Sequence, residues 1–456
     1  MVFNSNVFLF AFLPVVFTLF WLARTKRQRY VVLTVSGYVF YGYWDWRFCT
    51  LLLFSSLVSF TAGIMIDRAA TRAAARAWMV ASVAVDLTVL GIFKYYDFAA
   101  ASLARLVPSA ALPLLHVALP IGISFYTFHT ISYIVDVAAG RVRATHDVLE
   151  YLAYVSLFSQ LVAGPIVRFR EIEDDLERID GPPRGDDMAR GLGFFVVGLA
   201  KKAIVADCIA GWIDPMLAVP DSLSTAGAWL TALGYSLQLY FDFSGYSDMA
   251  VGLGLMFGLQ IPQNFNAPYR ALGIADFWRR WHMSLSRWLR DYLYIPLGGN
   301  RRGEARTYLN LFLTMLLGGL WHGANWTFVV WGAYQGILLA LGRLLGPWFA
   351  PVPAAIRRAG TFVLVVLGFV VFRSSSLSMA GAWLAKLAGQ GAGDGTVPAA
   401  LVLWVAVGLL LVNLAPETWD LRFGTRLRWA PVYAAAFLIA YLFVNQQASV
   451  FLYYQF

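Results

Sequence analysis

One short segment restricts the possible folds of this chain more than any other, because it places ionisable chemistry inside apolar sequence. The segment is Trp321-His322-Gly323-Ala324-Asn325-Trp326, and the runs on either side of it, 309–320 and 327–341, carry no charged residue. An ionisable side chain at bilayer depth is costly, so such a residue is by default a candidate for function. The alternative is a structural histidine that bonds a backbone carbonyl and packs two helices together.

The composition indicates the class of protein. Hydrophobic residues make up 59% and charged residues 13% of the 456, whereas a soluble domain has roughly 45–50% apolar and ~25% charged residues. The chain is therefore expected to be an all-α polytopic membrane protein. Its net charge of +9 is expected to reflect basic cytoplasmic loops that face anionic membrane lipid, rather than binding of nucleic acid.

The first apolar run and the charges around it predict the orientation in the membrane. No positive charge precedes the run 7–23, and the basic cluster 24–29 follows it. This order is typical of an uncleaved anchor whose N-terminus lies outside and whose basic cluster lies inside. Basic loops also follow the third and fifth predicted spans, which puts those loops on the cytoplasmic side. The second to fifth spans are predicted at 30–46, 48–66, 78–96 and 117–138.

The middle of the chain is less regular. Residues 147–166 are apolar but end in a Gly-Pro pair, which breaks a helix, so a re-entrant segment is predicted there. The strongly charged residues 168–190 are predicted to form a loop outside the bilayer. Lys201 and Lys202 interrupt the next apolar run and are expected to snorkel toward water. With the remaining apolar runs we expect about 11 to 13 membrane elements, including re-entrant and interfacial helices.

Residues 276–294 combine tryptophan and arginine in a pattern that predicts one amphipathic helix. Spacings of three and four place an apolar stripe on one face and arginines elsewhere. The stripe comprises Trp278, His282, Leu285, Leu289 and Tyr292, and the basic residues are Arg279, Arg280, Arg287 and Arg290. Such a helix favours a position in the membrane interface. Because arginine suits phosphate, it could be the entry gate for a phosphate-bearing donor; the alternative is a helix anchor with a structural histidine.

Two carboxylates lie in the apolar run 227–260, within Tyr240-Phe241-Asp242-Phe243-Ser244-Gly245-Tyr246-Ser247-Asp248. Six residues apart, they point about 120° from each other around a regular helix, so a paired acid/base role is not expected. Buried charges need partners. Each carboxylate is therefore expected to pair with an arginine such as Arg279 or to orient a histidine.

Other catalytic patterns are missing from the sequence. It has no glycine-rich phosphate loop, no Gly-x-Ser-x-Gly elbow and no His-Glu-x-x-His zinc motif. Its histidines are not spaced as a metal pair on one helix turn, so neither a metal nor a bound cofactor is expected. A zinc site of His282, His322 and an aspartate would need tertiary assembly. The five histidines are His116, His129, His146, His282 and His322.

Several stretches together resemble the membrane-bound O-acyltransferase family, in particular its branch that O-acetylates bacterial exopolysaccharides. The resemblance covers most of residues 1–345, is thin over 346–450 and returns at the C-terminus. The matching stretches are 1–10, 119–126, 161–165, 238–248, the helix around His282, 318–325 and 451–456.

This resemblance implies an O-acetyltransferase of the bacterial inner membrane, folded around a central tunnel. It implies a single membrane domain with an N-terminal bundle (1–140), a catalytic core (141–345) and C-terminal helices (346–456). Cytoplasmic acetyl-CoA would be the donor. A periplasmic or membrane-anchored O-acetyltransferase would accept the acetyl group for exopolysaccharide, with alginate as the expected polymer and cellulose or another polymer as the alternative.

The resemblance also implies roles for individual residues. His322 is expected to be the general base, since a neutral imidazole suits pH 7. Asn325 would share a helix face with it and donate to the oxyanion, and His282 would position the donor nearer the cytoplasmic entrance. An acyl-His322 intermediate stays open. Candidate donor-binding residues are Trp321, Trp278, Arg279, Arg280, Tyr240, Asp242, Ser244 and Asp248.

Two other classes of protein stay open at this point. A transporter of acetyl-CoA, of lipid-linked sugar or of polymer would also explain the spans and the intramembrane polar residues. The sequence has no internal repeat of the kind that marks many transporters. A scaffold that only docks a periplasmic transferase would explain the spans but gives no reason for a buried His322.

Overall fold

The computed structural model describes residues 1–110, 112–218, 222–390, 393, 395–444 and 452. These residues contain helices and no β-strand, so the predicted all-α class is confirmed. The α-helices are α1 Leu13–Leu22, α2 Lys26–Gly42, α3 Phe48–Asp67, α4 Arg72–Leu90, α5 Tyr96–Leu106, α6 Ile123–Ala138, α7 Val148–Val155, α8 Phe169–Glu177, α9 Gly185–Ala200, α10 Asp207–Ala218, α11 Thr225–Met256, α12 Ile274–Arg280, α13 Met283–Leu289, α14 Glu304–His322, α15 Trp326–Phe349, α16 Ala354–Arg373, α17 Leu377–Leu387, α18 Ala399–Leu414 and α19 Ala430–Val444.

Five helical stretches in the described part of the chain are long and apolar enough to cross a membrane. They are Phe48–Asp67, Arg72–Leu106, Trp326–Phe349, Ala354–Arg373 and Leu427–Val444. Two shorter apolar helices, Phe8–Leu22 and Ala399–Leu414, have 10–17 residues. The polytopic membrane class is therefore confirmed. The count of about 11 to 13 membrane elements and the central tunnel stay predictions.

The chain forms two compact units. Unit 1 comprises Met1–Phe195, Met249–Pro262 and Phe423–Ala430, and unit 2 comprises Val196–Asp248, Gln263–Arg422 and Pro431–Phe456. The division at residues 140 and 345, which was based on the resemblance, stays a prediction.

The loops that sequence analysis assigned to the cytoplasm meet at one end of unit 1. His146, in the loop after α6, has its Nε2 3.2 Å from Oδ2 of Asp67 at the end of α3. At the start of α2, the Arg29 guanidinium donates to the carbonyl oxygens of Ile179 and Gly181. The next residue, Tyr30, donates to Oε1 of Glu150, and Glu150 also accepts from the hydroxyl of Thr145 in the loop after α6. The loops after the first, third and fifth predicted spans thus lie on the same side, which agrees with the alternation of charge along the sequence.

Several predicted boundaries in unit 1 are wrong. The span expected at 117–138 becomes helical only at Ile123, because Pro120 lies just before that point and Gly122 adopts a positive φ of 80° that ends the preceding loop. The apolar segment 147–166 forms only the short helix α7 and then turns, so the helix ends well before its Gly-Pro pair. The charged residues 168–190 are not only a loop, since they contain α8.

Candidate active site

The helical hairpin of α14 and α15, in unit 2, carries His322 at its closed end. The backbones of the two helices are in direct contact at two glycines, Gly319 of α14 and Gly332 of α15. A Cβ on Gly319 would lie 2.4 Å from the Phe328 carbonyl oxygen and 2.8 Å from the Cα of Gly332. Only residues without a side chain allow this distance. The last residue of α14, His322, is thereby fixed against the first turns of α15.

The imidazole of His322 is surrounded by aromatic rings. Its ring centroid lies 5.0 Å from that of Trp321, 5.2 Å from that of Trp331 and 5.2 Å from that of Phe372. The residue is 6% exposed. An apolar wall of this kind favours the neutral imidazole, which is the form that can accept a proton.

The second candidate histidine, His282, lies at a break between two helices. The residue spacing predicts one helix over 276–294, and this prediction is wrong: α12 ends at Arg280, and His282 has a φ of +43° before α13 begins. Histidine is one of the few residue types enriched in this left-handed region. Because of the break, the apolar stripe expected to run through His282 does not form one helix face.

A hydrogen bond network fixes the orientation and tautomer of His282. Its Nδ1 lies 3.2 Å from Oδ1 of Asn264, and the same oxygen accepts from the backbone N–H of Ser284 at 3.1 Å. A backbone N–H can only donate, so the Asn264 atom is the oxygen and Nδ1 of His282 carries the proton. In the neutral ring, Nε2 is then the nitrogen that bears the lone pair.

His282 is fully buried. It lies close to the His322 cage, which is formed by the rings of Trp321, Trp331 and Phe372. Its ring centroid is 6.1 Å from that of Trp321, which also contacts His322. His282 lies outside the five candidate spans. Burial lowers its pKa well below the usual value, and the positive charges of Arg287 and of His322 in its protonated form lower this pKa further. The two histidines that sequence analysis singled out are thus brought together around one tryptophan.

Asn325 does not have the position expected for it. The helix ends at His322, Gly323 is extended, and Asn325 is the N-cap of α15 with a φ of −146°. Its Oδ1 accepts from the backbone N–H of Thr327, and its Nδ2 donates to the carbonyl oxygen of Ser375. The shared helix face with His322 is therefore wrong, because the chain changes direction between the two residues. Its role as an oxyanion donor stays a prediction.

The two aspartates of α11 pair with lysines rather than arginines. Lys202 Nζ lies 2.8 Å from Oδ1 of Asp242, and Lys201 Nζ lies 2.7 Å from Oδ2 of Asp248. Gly245 makes this possible, since a Cβ there would lie 2.7 Å from the Gly198 carbonyl oxygen. The expected pairing with Arg279 and the expected snorkelling of the lysines are wrong, because the π-helical segment Lys201–Ala206 packs closely against α11 and offers nearer partners.

The remaining polar candidates on α11 are also buried. Tyr240 donates through its hydroxyl to Oε1 of Glu417 at 2.8 Å. Ser244 is 1% exposed, and its hydroxyl forms no hydrogen bond within the described residues. The C-terminal stretch that supported the resemblance, 451–456, lies outside the described residues apart from Leu452, whose backbone N–H donates to Oδ2 of Asp242.

The candidates on α12 divide into exposed and buried residues. The side chain of Arg279 is 72% exposed and lies 3.7 Å from Asp276, which also accepts from Arg280 at 3.1 Å. Trp278 points the other way, into unit 2, and its indole N–H donates to Oε1 of Gln335 at 3.2 Å. The prediction that these arginines lie off the apolar face is confirmed.

Three residues that build this site were not predicted from the sequence. Asn264 holds His282, Trp331 forms part of the His322 wall, and Phe372 closes that wall from α16. Only Trp331 carried a signal, because it lies on the same face of a predicted helix as Thr327 and Gln335. Among the described residues, no group of three or more His, Cys, Asp or Glu side chains could hold a metal ion.

Comparison with known proteins shows the class to which this fold and site belong. The family model described as MBOAT, membrane-bound O-acyltransferase family, matches residues 8–382. The chain therefore belongs to the membrane-bound O-acyltransferase family, and it is an acyltransferase. The site described above, from Tyr240 to Phe372, falls within the matched residues.

Individual relatives extend the match over most of the chain. The protein named "Probable alginate O-acetylase AlgI" of Pseudomonas aeruginosa is 48% identical over 385 residues, which cover 83% of this chain and 73% of that protein. A peptidoglycan O-acetyltransferase of Helicobacter pylori is 37% identical, over 83% of this chain and 78% of its own length. A teichoic acid D-alanyltransferase of Bacillus subtilis is 29% identical, over 50% of this chain and 60% of its own.

Proposed function

We propose that this chain transfers the acetyl group of acetyl-CoA to a hydroxyl acceptor, for O-acetylation of an exopolysaccharide. Alginate is the first candidate for this polymer. The observation that carries the proposal is the enclosed imidazole of His322, inside the residues that match the family. The relatives named as O-acetylating enzymes support acetyl as the acyl group. Because the family is one of acyl-transferring enzymes, the transporter and scaffold hypotheses are no longer needed.

In the proposed reaction, His322 is the general base. Its neutral ring takes the proton of the acceptor hydroxyl as the oxygen attacks the thioester carbonyl carbon. The carbon–sulfur bond then breaks, and the proton returns from the imidazolium to the thiolate of CoA. An acyl-His322 intermediate would divide the same transfer into two steps.

His282 is proposed to position the donor rather than to exchange protons with it. Asn264 holds its Nδ1–H, so its Nε2 is offered as an acceptor in a fixed direction. Trp321, which contacts both histidines, and Trp278 are proposed to line the path of the acyl group, and Arg279 and Arg280 to attract the phosphates of CoA. For Tyr240, Asp242, Ser244 and Asp248 we propose a supporting role, since three of them bond to other side chains of unit 2.

The proposed orientation has the basic loops of unit 1 in the cytoplasm and the N-terminus in the periplasm of a bacterial inner membrane. The common end of those loops and the excess of positive charge support it. Acetyl-CoA would then enter from the cytoplasm and no bound cofactor would be required. The acceptor, a periplasmic or membrane-anchored O-acetyltransferase that serves the polymer, would be reached from the other side.

Replacement of His322 by alanine or glutamine tests the proposal. In cells with matched amounts of membrane protein, we expect ester-linked acetyl per sugar to vanish while the yield of secreted polymer stays unchanged. His146→Ala is the matched control, since that histidine is exposed and lies in a loop of unit 1. Acetylation that persists in His322→Ala, or a fall in polymer yield with acetylation per sugar unchanged, would contradict the proposal.

The peptidoglycan relative supplies a second candidate acceptor. Its match covers as much of this chain as the alginate relative does, although at lower identity. Acetyl ester should therefore be measured in both the secreted polymer and the purified cell wall of the same cells. Acetyl that disappears only from the cell wall in His322→Ala would assign this chain to peptidoglycan rather than to exopolysaccharide.

A further inference from the structure

The face of α15 that points toward His322 carries three polar side chains in one line. Thr327, Trp331 and Gln335 follow one another at intervals of four residues, which places them on the same side of the helix. Their exposures are 0%, 2% and 1%. A buried polar stripe on a helix in a membrane protein needs partners for each of its hydrogen-bonding groups.

Of these three side chains, only Gln335 has a hydrogen bond partner within the described part of the chain. Gln335 accepts from the indole N–H of Trp278. The hydroxyl of Thr327 and the indole N–H of Trp331 are buried and form no hydrogen bond with any residue that the structure describes. Buried donors are satisfied in nearly all native structures, so an exception beside a catalytic group calls for an explanation.

The unmatched donor of Trp331 is located in the wall of the His322 cage. The two ring centroids are 5.2 Å apart and the rings are perpendicular, with an angle of 89°. Phe372 lies beside it in the same cage, with its ring centroid 5.1 Å from that of Trp331. The carboxamide of Asn325, by contrast, is engaged at both ends by Thr327 and Ser375.

We propose that the indole N–H of Trp331, assisted by the hydroxyl of Thr327, donates to the carbonyl oxygen of the acyl thioester. The inference rests on the proposed function. When the acceptor oxygen bonds to the carbonyl carbon, the π electron pair moves to the carbonyl oxygen, and the acceptor proton goes to His322. The oxyanion then accepts from Trp331. Its electron pair returns as the carbon–sulfur bond breaks, and the thiolate takes the proton from His322.

This assignment explains why neither donor has an acceptor among the residues that the structure describes. Donors that are fixed before the substrate arrives stabilise charge that exists only in the transition state. They lower the barrier without strengthening the binding of the uncharged thioester to the same extent. Loss of such a donor therefore acts on kcat more than on KM.

The test is the steady-state transfer of acetyl from acetyl-CoA to polymer in inverted membrane vesicles of polymer-producing cells. Trp331→Phe keeps a ring and removes the donor, and we expect kcat to fall by about 10²–10³-fold. KM for acetyl-CoA should stay within about threefold, as should the affinity for a thioether analogue that lacks the carbonyl, because neither depends on the oxyanion.

Matched variants separate this role from a structural one. Trp383→Phe also removes the N–H of a buried tryptophan in unit 2, one that donates to the Ala228 carbonyl oxygen, and it should retain the wild-type kcat.

Thr327→Val should lower kcat on the order of tenfold, the equivalent of one hydrogen bond. Its control is Thr231→Val, which removes a hydroxyl bonded to Gly227. If Trp331→Phe fails to fold, Thr327→Val decides the question.

Three results would overturn the inference: a kcat for Trp331→Phe within threefold of wild type, a loss confined to KM, or an equal loss in Trp383→Phe. Failure of the proposed function looks different. In that case the wild-type vesicles themselves transfer no acetyl from acetyl-CoA, whatever residue stands at position 331.

Discussion

The buried ion pairs of Lys202 offer the sharpest test of how unit 2 is stabilised. Its ammonium lies 2.7 Å from Oδ1 of Asp207 and 2.8 Å from Oδ1 of Asp242, and the three side chains are 3%, 1% and 2% exposed. At these distances and an effective dielectric constant of 20, each attraction is about 6 kcal/mol. The cost of desolvating the three charges offsets much of this attraction.

Removal of one partner from such a pair leaves buried charge without compensation, and this costs about 3–5 kcal/mol. Lys202→Met keeps the length and the apolar stem of the side chain. We expect it to lower the free energy of unfolding by that amount. Lys201→Met should cost less, since Lys201 is 16% exposed and Asp248 keeps the hydroxyl of Thr418 as a donor.

The assay is unfolding by sodium dodecyl sulfate in mixed micelles, followed by tryptophan fluorescence, for the wild type and the variants. The triple variant Lys202→Met, Asp207→Asn, Asp242→Asn removes all three charges and should recover most of the loss, because replacing every partner of a buried pair is often nearly neutral. Acetyl transfer per folded molecule should be preserved in it. Additive effects of the three substitutions, or a normal stability of Lys202→Met, would refute the reasoning.

Three further predictions concern residues around the histidines. Asn325→Ser keeps an N-cap acceptor for α15 and should retain transfer, whereas Asn325→Ala should lose about 1 kcal/mol of stability; equal loss of transfer in both would contradict the capping role. Because the pKa of His282 is lowered in the folded state, the unfolded chain binds more protons below about pH 6.5 and stability falls with falling pH. His282→Gln should flatten this slope in thermal unfolding measured from pH 7 to pH 5, and an unchanged slope would count against it. Gly319→Ala forces a Cβ to 2.4 Å from a carbonyl oxygen and should reduce the folded amount in the membrane, while Gly342→Ala, which meets nothing within 4 Å on the same hairpin, should not.

The sequence was a good guide to the class of fold and to the central histidine. Composition and apolar runs predicted helices and spans, since the cost of exposed backbone in lipid leaves helices as the main solution for a chain of this kind. An ionisable residue between two uncharged runs pointed to His322 for the same reason. These predictions depend only on residues that are neighbours in the sequence, so they need no knowledge of contacts between distant segments.

The predictions that are wrong concern features that depend on contacts between distant segments. The break at His282 is held by Asn264, and periodicity alone gave no sign that a hydrogen bond network would interrupt the apolar stripe of 276–294. The lysine partners of Asp242 and Asp248 are brought close by a glycine on α11, and that approach is invisible in the local pattern. Asn325 was misplaced because the turn after His322 was assumed to continue the helix.

The approach of Gly319 to Gly332 determines where this chain can change in length. The register between α14 and α15 is set by main-chain atoms, so a residue inserted between Gly319 and His322 would rotate the imidazole by about 100° about the helix axis. An insertion in the turn between α15 and α16 leaves that register untouched. A change of length is therefore compatible with the position of the base in the turn that follows α15, and incompatible with it within the last turn of α14.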